Sequence, residues 1–245
     1  NFSDFGEFKN NFITGYVDPI KVKGQLYGIP NQGMIFILMG NKKLLNDAGY
    51  QELPTTWAEL KEVAKKLTKD TNGDGKVDQW GYELFGADGG NFAYRFVEYM
   101  FKAGGDFLNE DWTKSLVTEK PWEEALQLFV DLKKDGSLDP AFLATDFDGE
   151  TTKIAENQAA MWLEGPFILD PILAKNPDIE LLFGAVPAPS EAFGPFPQGT
   201  IMDINAVVMS NSCKNKEAAW EFIKWYTGPD NDKDCVLDPK IGGLP

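Results

Sequence analysis

The chain has 245 residues, 43% of them hydrophobic and 25% charged, with 18 Phe, 7 Trp and 7 Tyr, so it has ample apolar surface for a folded core and is not a disordered polyelectrolyte. Lys and Arg number 23 against 38 Asp and Glu, a formal net charge of −15, which repels nucleic acid and anionic membrane surfaces. His is absent and Cys occurs twice, which excludes Ser-His-Asp and Cys-His catalysis, His-ligated zinc and all-cysteine metal clusters.

In chain order, Leu26–Ile29 and Met34–Met39 read as strands. Thr56 with Glu59 forms a capping box, and Trp57, Leu60, Val63, Ala64 and Leu67 then fall on one helical face. Gln79–Leu84 reads as a strand, and a helix is expected from about Phe92 to Lys102, before Gly104 and Gly105. A second stripe, Trp122, Ala125, Leu126, Phe129 and Leu132, is stopped by Gly136. Ala159–Leu163, Leu181–Ala185 and Ile204–Met209 read as strands, and Ala219, Phe222, Ile223 and Tyr226 form a third helical stripe. This alternation of strands and helices predicts an α/β fold. The segment from Ala185 to Thr200, with Pro187, Pro189, Pro195 and Pro197, reads as an extended connection between two packed bodies.

The most specific local motif is Asp70–Asp78. Oxygen-bearing side chains at loop positions 1, 3, 5 and 9, with Gly75 at 6, match an EF-hand calcium loop, but Gly81 stands where position 12 needs a bidentate Glu. The candidate metal set is Asp70, Asn72, Asp74, Lys76 and Asp78, and the competing reading is a polar turn. Gly86–Gly90 is glycine-rich but is neither GxGxxG nor a P-loop. Arg95 is the only arginine, which argues for a neutral ligand rather than a carboxylate or phosphate. Trp162, Phe167, Phe92 and Tyr94 lie at strand ends or loop-helix junctions, where aromatic faces can stack on the apolar C–H face of a sugar. Glu164 and Asp203 leave a carboxylate pair for glycoside hydrolysis open. Cys213 and Cys235, 22 positions apart, leave two readings open, separate thiols or a disulfide in an exported protein.

Seven segments in order, across Gly24–Pro245, resemble the extracellular solute-binding proteins of ABC importers, maltose-binding type. They are Gly24–Pro30, Asn41–Gly49, Pro54–Leu60, Asp70–Gly81, Ala159–Phe167, Asn215–Trp225 and Gly242–Pro245. The resemblance implies a two-lobed periplasmic-binding-protein-like α/β fold with an interlobe ligand cleft and an incomplete first lobe, in a chain that looks like a fragment. Residues 1–35 would belong to the first lobe, 36–200 to the second, and 201–245 to the return segment of the first. The implied function is capture of a sugar or oligosaccharide by hinge closure for a membrane permease. The alternatives are another solute or, behind it, a carboxylate-dependent glycosidase. A monomer outside the cytoplasm is implied, periplasmic or lipid-anchored, with no cofactor required; a structural calcium stays open only as one reading of the Asp70–Asp78 loop. Carried over by position, Phe167 is the aromatic that stacks on the sugar, and Glu164 a polar neighbour of the cleft. Asn31 and Gln32 sit at the first lobe crossing, Gln198, Thr200 and Asp203 at the return crossing, and Asn91, Phe92, Tyr94 and Arg95 in a loop-helix start facing the cleft. Gly40 replaces the Tyr that often precedes Asn41.

Overall fold

A computed structural model describes residues 2–87 and 89–228. The chain divides into two units: Asn1–Met34 with Met202–Pro245, and Ile35–Ile201. Each is taken by itself.

The second unit is built on a three-stranded antiparallel sheet. Ile37–Asn41 lies in the middle, flanked by Met161–Glu164 and Leu181–Gly184. Side chains alternate across a strand, so Leu38, Met161 and Leu163 enter the main core, whereas Met39 and Trp162 enter a second one. Helices Trp57–Leu67, Gly89–Lys102 and Lys120–Lys134 cover the first face, with Leu60, Val63, Tyr99, Met100, Leu128 and Leu132 buried. Helices Phe147–Ala155 and Leu169–Lys175 cover the other through Ile154 and Ile172. The capping box forms as expected: Thr56 accepts from Glu59 N, and the Glu59 carboxylate accepts from Thr56 N. The expected strand at Gln79–Leu84 is instead a series of single bridges, Trp80 to Ala159, Tyr82 to Leu138 and Glu83 to Trp162, because successive residues pair with different segments.

The Pro-rich segment is not a connection between bodies. It lies within the second unit as a packed strap: Phe193 N donates to Ala103 O at 2.8 Å, Phe196 N to Gly104 O at 3.2 Å, and Gly199 N to Phe101 O at 3.2 Å. A Cβ on Gly194 would stand 2.3 Å from Gly104 O, so the two backbones meet only because Gly194 is glycine.

In the first unit, strand Ile29–Ile35 pairs with Met202–Val207. Helix Lys216–Thr227 buries Trp220 and Ile223 against Ile29. Phe2, Phe5 and Phe8 surround the Trp220 ring at 5.0, 5.8 and 5.4 Å. Asp4 accepts from Trp220 Nε1 and from Lys224 Nζ, both at 2.7 Å. Cys235 and Gly242–Pro245 lie outside the described residues, and with Cys235 the question of a disulfide to Cys213.

Glu98 ties helix Gly89–Lys102 to the end of the strap, accepting from Thr200 Oγ1 at 3.1 Å and Ile201 N at 2.9 Å. Burial pushes its carboxyl up to about 7 against the pull of those donors. Between the ordinary carboxyl value near 4.3 and about 7, the folded chain keeps a proton that the unfolded chain has released. Stability therefore falls as pH rises through that window, by at most about 1.4 kcal/mol per pH unit for one such group. Glu98→Gln keeps an acceptor for Ile201 N and removes the titration. Its melting temperature is expected to fall less steeply between pH 5 and about 8 than that of the parent chain. Parallel curves by calorimetry would show that Glu98 does not carry the dependence.

Candidate functional site

Gly165 and Pro166 end the strand Met161–Glu164 and open a single 3-10 turn, Pro166–Ile168. The turn sends Ile168 into the core and leaves Phe167 39% exposed. The Phe167 ring folds back over Gly165, where a Cβ would stand 2.5 Å from Cε1. Tyr94, on helix Gly89–Lys102, is 43% exposed. Buried Phe36 lies between them, stacked on Tyr94 at 6.0 Å and edge-on to Phe167 at 6.4 Å. Phe147 backs Phe167 at 6.0 Å. Two exposed aromatic faces thus stand on a fixed aromatic base, the rigid kind of surface on which a sugar ring stacks.

Beneath this base lies a charged layer. Arg95 and Glu164 are buried and form an ion pair, Nε and Nη2 both donating to Oε1. The guanidinium lies 4.1 Å from the Phe85 ring centre and 5.5 Å from that of Phe36, a cation-π arrangement. Lys153 donates to Glu83 at 3.1 Å, to Thr145 Oγ1 at 2.8 Å and to Asp139. Burial pushes the carboxyls of Glu83 and Glu164 up to about 7, against the pull of Lys153 and Arg95 respectively. Glu150 is pushed well above the usual carboxyl range by burial and by its neighbour Glu164, which favours its neutral form. One oxygen of each of Glu83, Glu150 and Glu164 has no hydrogen-bond partner among the described residues.

The other expected residues fall elsewhere. Trp162 is fully buried among Met39, Ile154, Ala159 and Ile172, so it is a core residue and offers no face to a ligand. Glu164 is likewise fully buried and acts under the aromatic base, not at its surface. Phe92 packs on the main core, stacked on Phe96 at 6.4 Å. Gln198 is exposed on the strap and donates to Pro189 O at 3.2 Å. The side chain of Asn91 lies outside the described residues. Asn31, Gln32 and Asp203 belong to the first unit. There Asn31 and Gln32 line a cavity of about 300 Å³ with Asn11, Phe12, Tyr16 and Thr227, and Asp203 does not line it. Tyr16 lies flat on the strand because residue 33 is glycine; a Cβ there would meet Tyr16 Cε1 at 1.9 Å. A larger cavity of the same unit, about 580 Å³ and bordered by Phe5, Thr14, Lys21 and Gln25, contains none of the expected residues.

In the Asp70–Asp78 loop the donor oxygens turn inward. Asp70 accepts from Gly73 N and Gly75 N at 2.6 and 2.7 Å, Asn72 from Asp74 N at 2.8 Å, and Asp74 from Lys76 N at 2.8 Å. Asp78 accepts from Thr71 N and Oγ1, both at 2.9 Å. The Gly75 amide above all holds the Asp70 carboxyl below its usual range. Glu83, the nearest acidic residue beyond Gly81, is buried on Lys153. Among the described residues no group of three or more acidic, His or Cys side chains is placed to hold a metal. As arranged, Asp70, Asn72, Asp74 and Asp78 accept from the loop's own amides and close a turn, the competing reading of the set Asp70, Asn72, Asp74, Lys76 and Asp78. A chelator is expected to leave the melting temperature unchanged. A drop that added calcium reverses would place the ion in the loop.

Sequence reasoning missed Phe36, Phe85 and Phe147, the aromatic base, and Glu150 in the charged layer. Phe85 carried the one usable signal, an aromatic directly after the predicted strand Gln79–Leu84, whereas Phe36 fell in the middle of one.

The pattern of the bacterial extracellular solute-binding protein family matches residues 5–233. A binding protein of Brucella abortus is 28% identical over 225 residues, 91% of this chain and 52% of the relative. The maltotriose-binding protein of Pyrococcus abyssi is 26% identical over 236 residues, 93% of this chain and 46% of the relative. A solved ABC transporter solute-binding protein of Thermotoga lettingae, bound to α-D-tagatose, superposes with a TM-score of 0.76 at 25% identity, covering 98% of this chain and 60% of that one. The chain spans about half the length of the curated relatives it matches. Among the described residues no helix is long and apolar enough to cross a membrane. Fold and sequence agree that the chain belongs to the bacterial extracellular solute-binding protein family.

Proposed function

We propose that this chain captures a sugar or oligosaccharide for an ABC importer, with Tyr94 and Phe167 as stacking faces. The observation that carries the reading is the pair of exposed rings held on Phe36 over a buried Arg95–Glu164 pair. The one arginine is committed to that pair, which leaves no guanidinium fork for an anionic solute and favours a neutral one. The relatives that bind maltotriose and tagatose support the same class. Asn31, Gln32, Gln198 and Asp203 stay as proposed polar contacts, taken from the family resemblance. Capture by hinge closure, a membrane permease as partner, a monomeric state, and a periplasmic or lipid-anchored location have the same support. The chain is read as a binder and not an enzyme, since Glu164 is fully buried and paired, out of reach of a glycosidic oxygen.

A thermal-shift screen tests the reading. Maltose, maltotriose, tagatose and mannitol are set against a panel of amino acids. A ligand at about 100 times its Kd adds about 2.7 kcal/mol of stability. A shift with at least one sugar is expected. A shift with an amino acid alone moves the solute class, and release of monosaccharide from maltotriose would make the protein an enzyme.

A further inference from the structure

On the side of the second unit away from Tyr94 there is a cavity that the reading above leaves unused. Tyr94 and Phe96 are two positions apart on one helix, so their side chains point about 200° apart. Tyr94 meets Phe36, while Phe96 meets Trp122 at 5.7 Å. Beyond Trp122 the strap closes over the start of helix Lys120–Lys134 and encloses about 270 Å³. Its lining includes Trp122, Phe193 and Phe196 together with Asp106, Lys114 and Glu119.

Its walls are fixed by packing and hydrogen bonds. Trp122 Nε1 donates to Asp106 O at 3.0 Å, and Phe107 packs edge-on against the indole at 5.0 Å. Phe193 and Phe196 are held by backbone bonds to Ala103 and Gly104, an approach that needs glycine at both 104 and 194. The Lys120 ammonium lies 4.9 Å from the Phe193 ring centre. At the rim Lys114 and Glu119 pair at 2.7 Å, both well exposed, so they offer a donor and an acceptor side by side at no net charge. A lining that combines rings with a balanced donor and acceptor matches a neutral ring with one apolar face and an edge of hydroxyls. The volume is just under the range of about 300–1,000 Å³ found for ligand clefts, which suits one ring and not a chain of them.

We infer that this cavity is a second carbohydrate site, holding a single pyranose against the aromatic lining of Trp122, Phe193 and Phe196 with its hydroxyls on Lys114 and Glu119. It does not depend on the Tyr94–Phe167 face and is tested with that face removed. The chain carrying Tyr94→Ala and Phe167→Ala is titrated with the methyl α-pyranosides of glucose, galactose and mannose. Saturation-transfer NMR reads the binding. At least one of the three is expected to bind saturably. Adding Lys114→Ala with Glu119→Gln, both solvent-facing changes, is expected to weaken that binding at least about tenfold while the melting temperature holds. Trp122→Phe, which keeps the packing on Phe96 and Phe107, is expected to weaken it as well. Absence of saturable binding by all three sugars overturns the site, and so does binding that survives the Lys114 and Glu119 changes undiminished.

Discussion

Arg95→Ala is expected to destabilise the second unit by about 3–5 kcal/mol, the usual cost of removing one partner from a buried ion pair. The loss leaves Glu164 fully buried without its cation and strips the guanidinium from the Phe85 and Phe36 rings. The pH dependence identifies the cause. Without Arg95, burial acts on Glu164 with its main opposing cation gone, and its carboxyl rises above about 7. Below about 7 the folded parent and the folded variant both hold the proton, so the defect is level there; above about 7 the parent's Glu164 ionises beside Arg95 and the variant's does not, so the defect deepens towards pH 8. Denaturant unfolding at pH 5 and pH 8 measures it. Arg95→Met with Glu164→Leu is expected to recover much of the loss, because replacing a buried pair by apolar groups is often neutral. A defect equal at both pH values and not relieved in the double variant would mean that lost packing, not the charge, is responsible.

Trp162→Ala is expected to lose about 3–5 kcal/mol through the cavity it leaves among Met39, Ile154 and Ile172. The fall in melting temperature should come without any ligand present. Phe167, five residues on and 39% exposed, provides the internal contrast, since its truncation removes less buried surface than that of the fully buried Trp162. If Trp162→Ala kept its melting temperature and lost solute affinity, Trp162 would be a ligand face after all.

Those two aromatics show what was legible. Trp162 sits on a strand buried on both faces, so Met161, Trp162 and Leu163 are all apolar and no alternation tells one side from the other. Phe167 follows Gly165 and Pro166, whose turn chemistry places it outside the strand from local sequence alone. Helices were legible to within a residue or two of phase. Trp57, Leu60, Val63, Ala64 and Leu67 are all buried. In the next stripe Leu126 is exposed and Leu128 buried, and in the last Trp220 and Thr227 are inside while Phe222 and Tyr226 are outside. A 3.6-residue period tolerates such a shift when apolar residues border the stripe on both sides. The partners of the charged layer were not legible, because Arg95 meets Glu164 across 69 positions and Lys153 meets Glu83 across 70. In the Asp70 loop the spacing of the oxygens was plain, but the direction in which they point depends on which backbone amides the turn presents.

The central claim is that Tyr94 and Phe167 present the stacking faces for a sugar, and calorimetry on Phe167→Ala tests it most directly. Titration uses the best sugar from the thermal-shift screen. Loss of one stacking face is expected to weaken binding by about 1–3 kcal/mol, by analogy with aromatic platforms for other flat ligands, with a smaller fall in the unliganded melting temperature than Trp162→Ala shows. Tyr94→Ala should act in the same direction. Affinity unchanged in both variants would contradict the account and place the sugar away from this face.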